Sequence, residues 1–273
     1  MMKYTTYPVH EKLKTWIRYF WSYDASVVKK EELHIRSFAD QYPRLIFQDI
    51  STFSPIRDAQ GNTMPLCYLS GVDTRPTEAF WENQFSHFGV SFYPHALHAF
   101  FRINAAELTN EMPDILLLDT TEIPFLLLNA KDHRERVAIL SKYFFEKIDN
   151  GKIDIALSDL IHSHNFQCYN GEKDQKKIAR HYGFSERQLQ RRFKTNVGVS
   201  MTKFNRLARF EKALKVLPSA VYGELTTLTY DLNYADQSHL ISDFKEFSDL
   251  SPYQFIKKES LGAESSSFIY LVE

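Results

Sequence analysis

One pattern occurs twice in the carboxy-terminal third of this 273-residue chain, and it limits the fold more than any other feature. The first copy is Ile178-Ala-Arg-His-Tyr-Gly183-Phe-Ser-Glu-Arg-Gln-Leu189-Gln-Arg-Arg-Phe193-Lys194. The second is Leu228-Thr-Tyr-Asp-Leu-Asn233-Tyr-Ala-Asp-Gln-Ser-His-Leu240-Ile-Ser-Asp-Phe244-Lys245. Each reads as a short helix, a tight turn and a second helix whose inner face carries Leu and Phe four residues apart, the grammar of a helix-turn-helix. Ile178 and Ala179 open the buried face of the first copy. Gly183 and Asn233 tolerate the left-handed backbone of a sharp turn. Ser185 can cap the helix that follows, and Gln188 completes a capping box. With Leu189 and Phe193 turned inward, and Leu240 and Phe244 likewise, the long side chains of Arg187, Gln190, Arg191 and Lys194 are left on an outer face. Between the copies, Phe204, Leu207, Phe210, Ala213, Leu214 and Leu217 keep helical spacing up to Pro218, which predicts a spacer helix over 202–217, roughly 22 Å long. Ser251-Pro252 predicts a last short helix with Pro at its first position.

Upstream the grammar changes. Between Trp16 and about Ile103, aromatic and β-branched residues come in short runs separated by Pro, Gly, Asn and Asp, which mark strands and turns. Phe88-Gly-Val90-Ser-Phe92 alternates large with small residues and predicts a half-buried strand. Arg44 to Gln48 and Leu66 to Leu69 predict two more, and Asp58 to Asn62 a hairpin connection. Farther on, Val137, Leu140, Phe144, Phe145 and Ile148 predict an amphipathic helix over 132–150, closed by Asn150-Gly151. Its apolar face packs within the protomer or against a second copy. A helical stretch at 153–164 then leads into the polar segment Asn170-Gly-Glu-Lys-Asp174. The expected class is α+β with two domains. A β-rich domain over 1–150 ends in the linker helix, an all-α domain over 151–259 holds both helix-turn-helix units, and 260–273 is a tail.

Several classes of function lose support. The apolar runs at Ile115 to Leu118 and Ile123 to Leu128 are far shorter than the roughly 20 residues of a membrane-spanning helix. The opening MMKYTTYPVHEKLK has no apolar core of a signal peptide. Cys67 and Cys168 form neither a disulfide framework nor a zinc pair. A cytoplasmic location is the expectation. His95 and His98 fit a helix start or a surface better than a metal pair, and His162 and His164 face different ways. Cys168 has no neighbouring base and reads as an inert thiol. Phosphate-loop and dinucleotide fingerprints are missing. No catalytic residue, metal or cofactor is expected. Aromatic residues, 15% of the chain, concentrate upstream with Trp16, Trp21 and Trp81. They serve a sheet core or line a pocket for a small apolar or aromatic effector.

The net charge of -1 argues against a polybasic nucleic-acid binder only until it is divided. Residues 172–215 carry 13 basic and 4 acidic side chains, whereas 216–259 carry 3 and 7. Attraction to phosphate is therefore expected from the first unit. Arg and Gln on its outer face suit a major groove, where they read guanine and adenine. A spacer of this length would set the two outer faces about one DNA turn, roughly 34 Å, apart.

Residues 175–256 resemble the DNA-binding domain of AraC/XylS-type transcriptional regulators. The resemblance rests on Ile178-Ala179, Gly183-Phe-Ser185, Arg187 to Lys194, Gly198, Arg206 and Arg209, Asp236 to Leu240, Phe244-Lys245 and Ser251-Pro252. It implies two units in adjacent major grooves of double-stranded promoter DNA and contact with RNA polymerase. Carried over by position, the base-reading residues are Arg187, Gln190 and Arg191 in the first unit, and Gln237, Ser238 and Ser242 in the second. Lys194, Arg206 and Lys245 are expected on the DNA backbone. The sequence departs from the family pattern at Asn233 and Asp249, where glycine is usual, and at Ser242 beside Asp243, where a basic residue is common. The last departure leaves the second unit as a weaker base reader or an orienting element. The amino-terminal half resembles the poorly characterised domain that precedes the reader in some AraC-type regulators, through Ile17 to Trp21, Tyr42 to Ile46, Leu69-Ser-Gly71 and Gly89 to Pro94. Effector binding or homodimerisation is what that resemblance implies, with the helix over 132–150 packing against a second copy. Two alternatives stay open: an amino-terminal half that only dimerises or docks a protein partner, and a metal-binding β-domain with catalytic activity.

Overall fold

A computed structural model describes residues 2–25, 32–50, 55–82, 84–149, 154–163, 172–217, 225–257 and 268–271, and the described residues form nine strands, ten α-helices and three short 3-10 turns. In chain order the strands of the first half are β1 (Met2–Tyr7), β2 (Ile17–Ala25), β3 (Glu32–Ser37), β4 (Arg44–Gln48), β5 (Arg57–Asp58), β6 (Cys67–Ser70), β7 (Thr77–Glu82) and β8 (Phe85–Phe92). The order β1-β2-β8-β4-β6 makes one antiparallel sheet, and β5-β7-β3-β9 makes a second, with β9 (Phe268–Leu271) contributed by the segment expected as a tail. The sheet region thus begins before Trp16, at Met2. The hairpin connection at Asp58 to Asn62 is present: Gly61 has φ +83°, and the Asp58 carboxylate accepts from the backbone of Gln60 and Asn62 at 2.9 and 2.8 Å.

The strand β8 corrects the half-buried reading, because all eight of its residues are buried. It runs between β2 and β4, with one face against helices and the other toward the second sheet. The helical cover consists of α1 (Ala96–Phe101), α2 (Ile123–Leu128) and α3 (His133–Asp149), which bring Phe100, Leu127, Leu140 and Phe144 onto Phe20, Phe88 and Phe92. The predicted amphipathic helix is α3, and the chain's own sheet takes its apolar face: the Phe144 ring lies 5.4 Å from Phe92 and 4.6 Å from Phe100. The expectation that this face meets a second copy is corrected accordingly. Asn150-Gly151, His164, Cys168 and Pro218 lie outside the described residues.

The helical half comprises α4 (Ile155–His162), α5 (Glu172–His181), α6 (Glu186–Val197), α7 (Met201–Val216), α8 (Leu225–Asp231), α9 (Gln237–Ser248) and α10 (Pro252–Lys257). The polar segment read as a connection up to Asp174 already belongs to α5 from Glu172 onward. Lys176, Lys177 and Arg180 stay in solvent while Gln175, Ile178 and Ala179 turn inward, so a polar sequence still makes an amphipathic helix. The spacer appears as α7, capped by Ser200, whose hydroxyl accepts from Lys203 N at 3.2 Å. Among the described residues no helix is long and apolar enough to cross a membrane.

The two halves share a core. Phe38, Ala39 and Val72 of the sheet half pack into the cluster built by Phe193, Leu207, Phe210, Phe244, Phe247 and Phe255. Ala39 N donates to Phe247 O at 2.9 Å, and Gln41 reaches Glu211 on α7. On the other flank, α4 is a strut. Its His162 ring nitrogen meets Thr15 O at 3.0 Å, its N-cap Asp154 pairs with Arg192 on α6 at 3.0 Å, and Asp159 accepts from Tyr182 at 2.6 Å.

Candidate nucleic-acid interface

In the first unit, α5 and α6 meet at a turn where Gly183 adopts φ +70°. Ser185 and Gln188 form the reciprocal capping box: Gln188 N donates to the Ser185 hydroxyl at 3.2 Å, and Ser185 N donates to the Gln188 side chain at 2.9 Å. Two of the orphan donors at the helix start are thereby satisfied. Ile178, Ala179, Leu189 and Phe193 are buried, and Arg187, Gln190, Arg191 and Lys194 are exposed along one side of α6. Its far end is fixed by Gly198, at φ +101°, where an added Cβ would lie 2.8 Å from the Thr109 hydroxyl and 2.9 Å from Ala105 O. Glycine is required there both for the backbone and for the close approach to the sheet half.

The second unit repeats the arrangement with other chemistry. Asn233 takes the left-handed turn at φ 58°, and Asp236 caps α9 by accepting from His239 N at 2.8 Å. Leu240 and Phe244 are fully buried. Ser238, Ser242 and Lys245 are exposed, while Gln237 is half-buried and donates to the Tyr253 hydroxyl at 3.4 Å. Asp249 closes the helix at φ 58°, in the place where glycine is usual. The Ser251-Pro252 start is α10, with Ser251 and Gln254 forming their own reciprocal pair at 3.2 and 2.8 Å.

Arg206, expected on the DNA backbone, points into the protein. Its Nε and Nη2 donate to Asp243 at 2.9 and 2.7 Å, and Nη2 also pairs with Glu246. Lys203 joins Glu246, and Arg209 sits 3.9 Å from the other Asp243 oxygen while donating to Asn233 O at 3.2 Å. Burial works against the charge on Arg206, but its bonds to Asp243 and Glu246 outweigh that and raise its pKa further. The Asp243 side chain is 0% exposed, which no sequence reading had assigned to it. A signal for it existed: Leu240, Asp243, Phe244 and Phe247 fall at i, i+3, i+4 and i+7, one helix face. An acid on such a face needs a buried cation, and the two arginines of α7 supply it.

Among the described residues no group of three or more His, Cys, Asp or Glu lies where it could hold an ion. His95 corrects the surface or capping expectation: it is 4% exposed, makes no cap bond, and neither ring nitrogen has a partner. Its ring lies 5.6 Å from that of His162. His98 instead bonds Ile103 O at 2.6 Å. Cys67 is buried, and its thiol pKa is pushed up by burial.

Residues 178–258 match the family model of a helix-turn-helix domain. The chain carries an AraC-type helix-turn-helix domain. In front of this AraC-type reader, residues 5–114 match a domain of unknown function, DUF6597. Comparison with curated proteins found no match. Among solved structures the chain is similar to ToxT from Vibrio cholerae, with 12% identity and a TM-score of 0.40 over 87% of this chain and 97% of that one. A second crystal structure of ToxT gives 11% and 0.42, over 93% and 98%. A ToxT bound to an unsaturated fatty acid gives 13% and 0.40, over 86% and 94%.

Proposed function

We propose that this chain is a sequence-specific transcription regulator whose two helix-turn-helix units read adjacent major-groove segments of a promoter. The observation that carries the reading is the AraC-type reader with both recognition helices capped, pinned by buried Leu and Phe, and presenting polar faces outward. Arg187, Gln190 and Arg191 read bases in the first unit, with Gln237, Ser238 and Ser242 as lesser contacts in the second. Lys194 and Lys245 hold phosphates. Arg206 acts at one remove, by holding the second recognition helix against the spacer. Residues 1–150, completed by β9 (Phe268–Leu271) beside β3, form the sensing domain and 151–259 the reader, and the regulator works in the cytoplasm. RNA polymerase is the further partner implied by the family resemblance.

Control from the sensing domain is supported by a cavity of about 700 Å³ between the two sheets, bordered by Trp21, Tyr68, Phe38 and, from the reader itself, Asp249. That is an ordinary size for a small-molecule site. The rival reading, a domain that only dimerises or docks a partner, draws on the exposed Leu116, Leu117 and Phe125. Selection of bound sequences from random DNA tests the main reading. Two half-sites about ten base pairs apart are expected, the first more sharply defined; binding without sequence preference would sink it.

A further inference from the structure

The inner face of the larger sheet is aromatic by construction. On β2, Tyr19, Trp21 and Tyr23 face the cavity, and Phe20 lies in the helix-covered core behind it. Trp21 is opposite Gly89 on β8, where an added Cβ would come within 2.5 Å of the indole, so the ring lies flat on the strand. Tyr4 stacks on Trp21 at 6.2 Å and 18°, and Tyr42 and Tyr68 extend the same lining. Ring faces carry negative charge density and attract cations.

The charged side chains around this cage have the same sign preference. The lining includes Asp40, Asp58, Asp73, Glu78, Glu111 and Asp249 against Arg36, Arg44 and Arg75. Arg36 donates to Glu78 at 2.9 Å and Arg44 pairs with Asp40, which leaves an acidic excess. Asp73 is the buried one among these acids. It is 9% exposed, one carboxylate oxygen accepts from the Ser70 hydroxyl at 3.1 Å, and the other has no hydrogen-bond partner. Burial, followed by the neighbouring Asp40, pushes its pKa up to about 7. A buried carboxylate left this way calls for a donor, and a charged donor makes the stronger bond.

We propose that the cavity takes a small organic cation, an amine carrying an aromatic or apolar body, with Asp73 as the anionic partner and Trp21 and Tyr68 in the cage. This rests on the reading of the cavity as the effector site and adds the chemical class of the effector. It also gives a route to the DNA. Asp40 and Asp73 are paired through their backbones at 2.9 Å in both directions, and the residue before Asp40, Ala39, donates to Phe247 on α9. Asp249, the C-cap of α9, borders the same space. A cation drawn to this wall therefore acts first on the second recognition helix.

The test uses the full chain and three probes of similar shape: 2-phenylethylamine, 2-phenylethanol and 3-phenylpropanoate. Binding is followed by calorimetry and by Trp fluorescence, with Trp21→Phe as the control for the cavity indole. The amine is expected to bind about tenfold more tightly than the alcohol, and the carboxylate not at all. Asp73→Asn should bring the amine down to the level of the alcohol with the thermal midpoint of the free protein kept or raised. An alcohol or carboxylate that binds as well as the amine, a preference that survives Asp73→Asn, or silence from all three overturns the cation class. The effector reading fails separately: an amine that binds through Asp73 yet leaves the affinity for a selected DNA duplex unchanged removes control of the reader and keeps the cation site.

Discussion

In the first helix-turn-helix unit the cations of the recognition helix face solvent, as Arg187, Arg191 and Lys194 do. Behind the second unit three cations of the spacer helix, Lys203, Arg206 and Arg209, are engaged with Asp243 and Glu246, and α9 itself carries a single Lys or Arg, the exposed Lys245. The two units therefore share a backbone plan, with left-handed turns at Gly183 and Asn233 and side-chain caps at Ser185 and Asp236, but use charge for different ends. One presents it to solvent along the recognition helix. The other has it engaged with Asp243 and Glu246, where it holds the second recognition helix against the spacer. Near-neutral total charge conceals both uses.

Asp243→Ala gives the largest expected effect on that contrast. It strands Arg206 and Arg209 without their buried acid, and breaking a buried pair from one side costs about 3–5 kcal/mol. Chemical unfolding of the full chain measures it. Arg187→Ala, on the exposed face of α6, should leave stability almost unchanged in the same assay. If Asp243→Ala costs less than about 1 kcal/mol, the range of an exposed ion pair, the inward cations are not holding the second unit.

How much of this was legible in the sequence follows the range of the interactions. The turns, the capping box and the inward Leu189, Phe193, Leu240 and Phe244 are decided within a few residues, and these features are all present. The strand at Arg44 to Gln48 appears with the expected bounds because its alternation is local. The double burial of β8 was not legible, since the alternation of Phe88, Val90 and Phe92 cannot show that a second sheet and three helices cover both faces. Nor was the role of Arg206, which depends on an acid 37 residues away. The cavity lining draws on strands from Tyr4 to His87 and on Asp249, so only the fold assembles it.

Arg191→Ala follows in size. It should weaken binding to a selected duplex by about 1–3 kcal/mol and relax one base position, because a guanidinium reading guanine bidentately is lost. Ser242→Ala, at an exposed position of α9, should cost less. Equal losses from the two would erase the proposed difference in base reading, and an equal loss on random duplex would reduce Arg191 to a phosphate contact.

The units also differ in how they are anchored, and acid separates the two anchors. The His95 pKa is pushed down to about 3 by burial and then by His162 beside it. The unfolded chain takes up that proton near pH 6.5 while the folded chain refuses it, so stability is lost as pH falls below about 6.5, by roughly 2 kcal/mol at pH 5. His95 adjoins the α4 strut that braces the first unit, whereas the second unit is held through Ala39 and Phe247. Hydrogen exchange at pH 5 should therefore rise in α4 before α9, and His95→Leu should remove the difference. Exchange that rises in both helices together would mean that the halves open as one unit.

The smallest effect is the most direct comparison of grip. Each phosphate contact adds about 0.9 to the slope of log affinity against log salt. Lys194 lies on a helix whose exposed neighbours include Arg187, Arg191 and Arg192, and Lys194→Gln should lower the slope by about one such contact. Lys245 is flanked on α9 by Asp249 and Glu246, whose field opposes an approaching phosphate. Lys245→Gln should lower the slope by clearly less, and the gap between the two variants should narrow as salt screens those carboxylates. Equal slopes for the two variants at low salt would show that both units hold the backbone alike, and the inward pairing of Arg206 would then set the posture of the second unit without setting its share of the affinity.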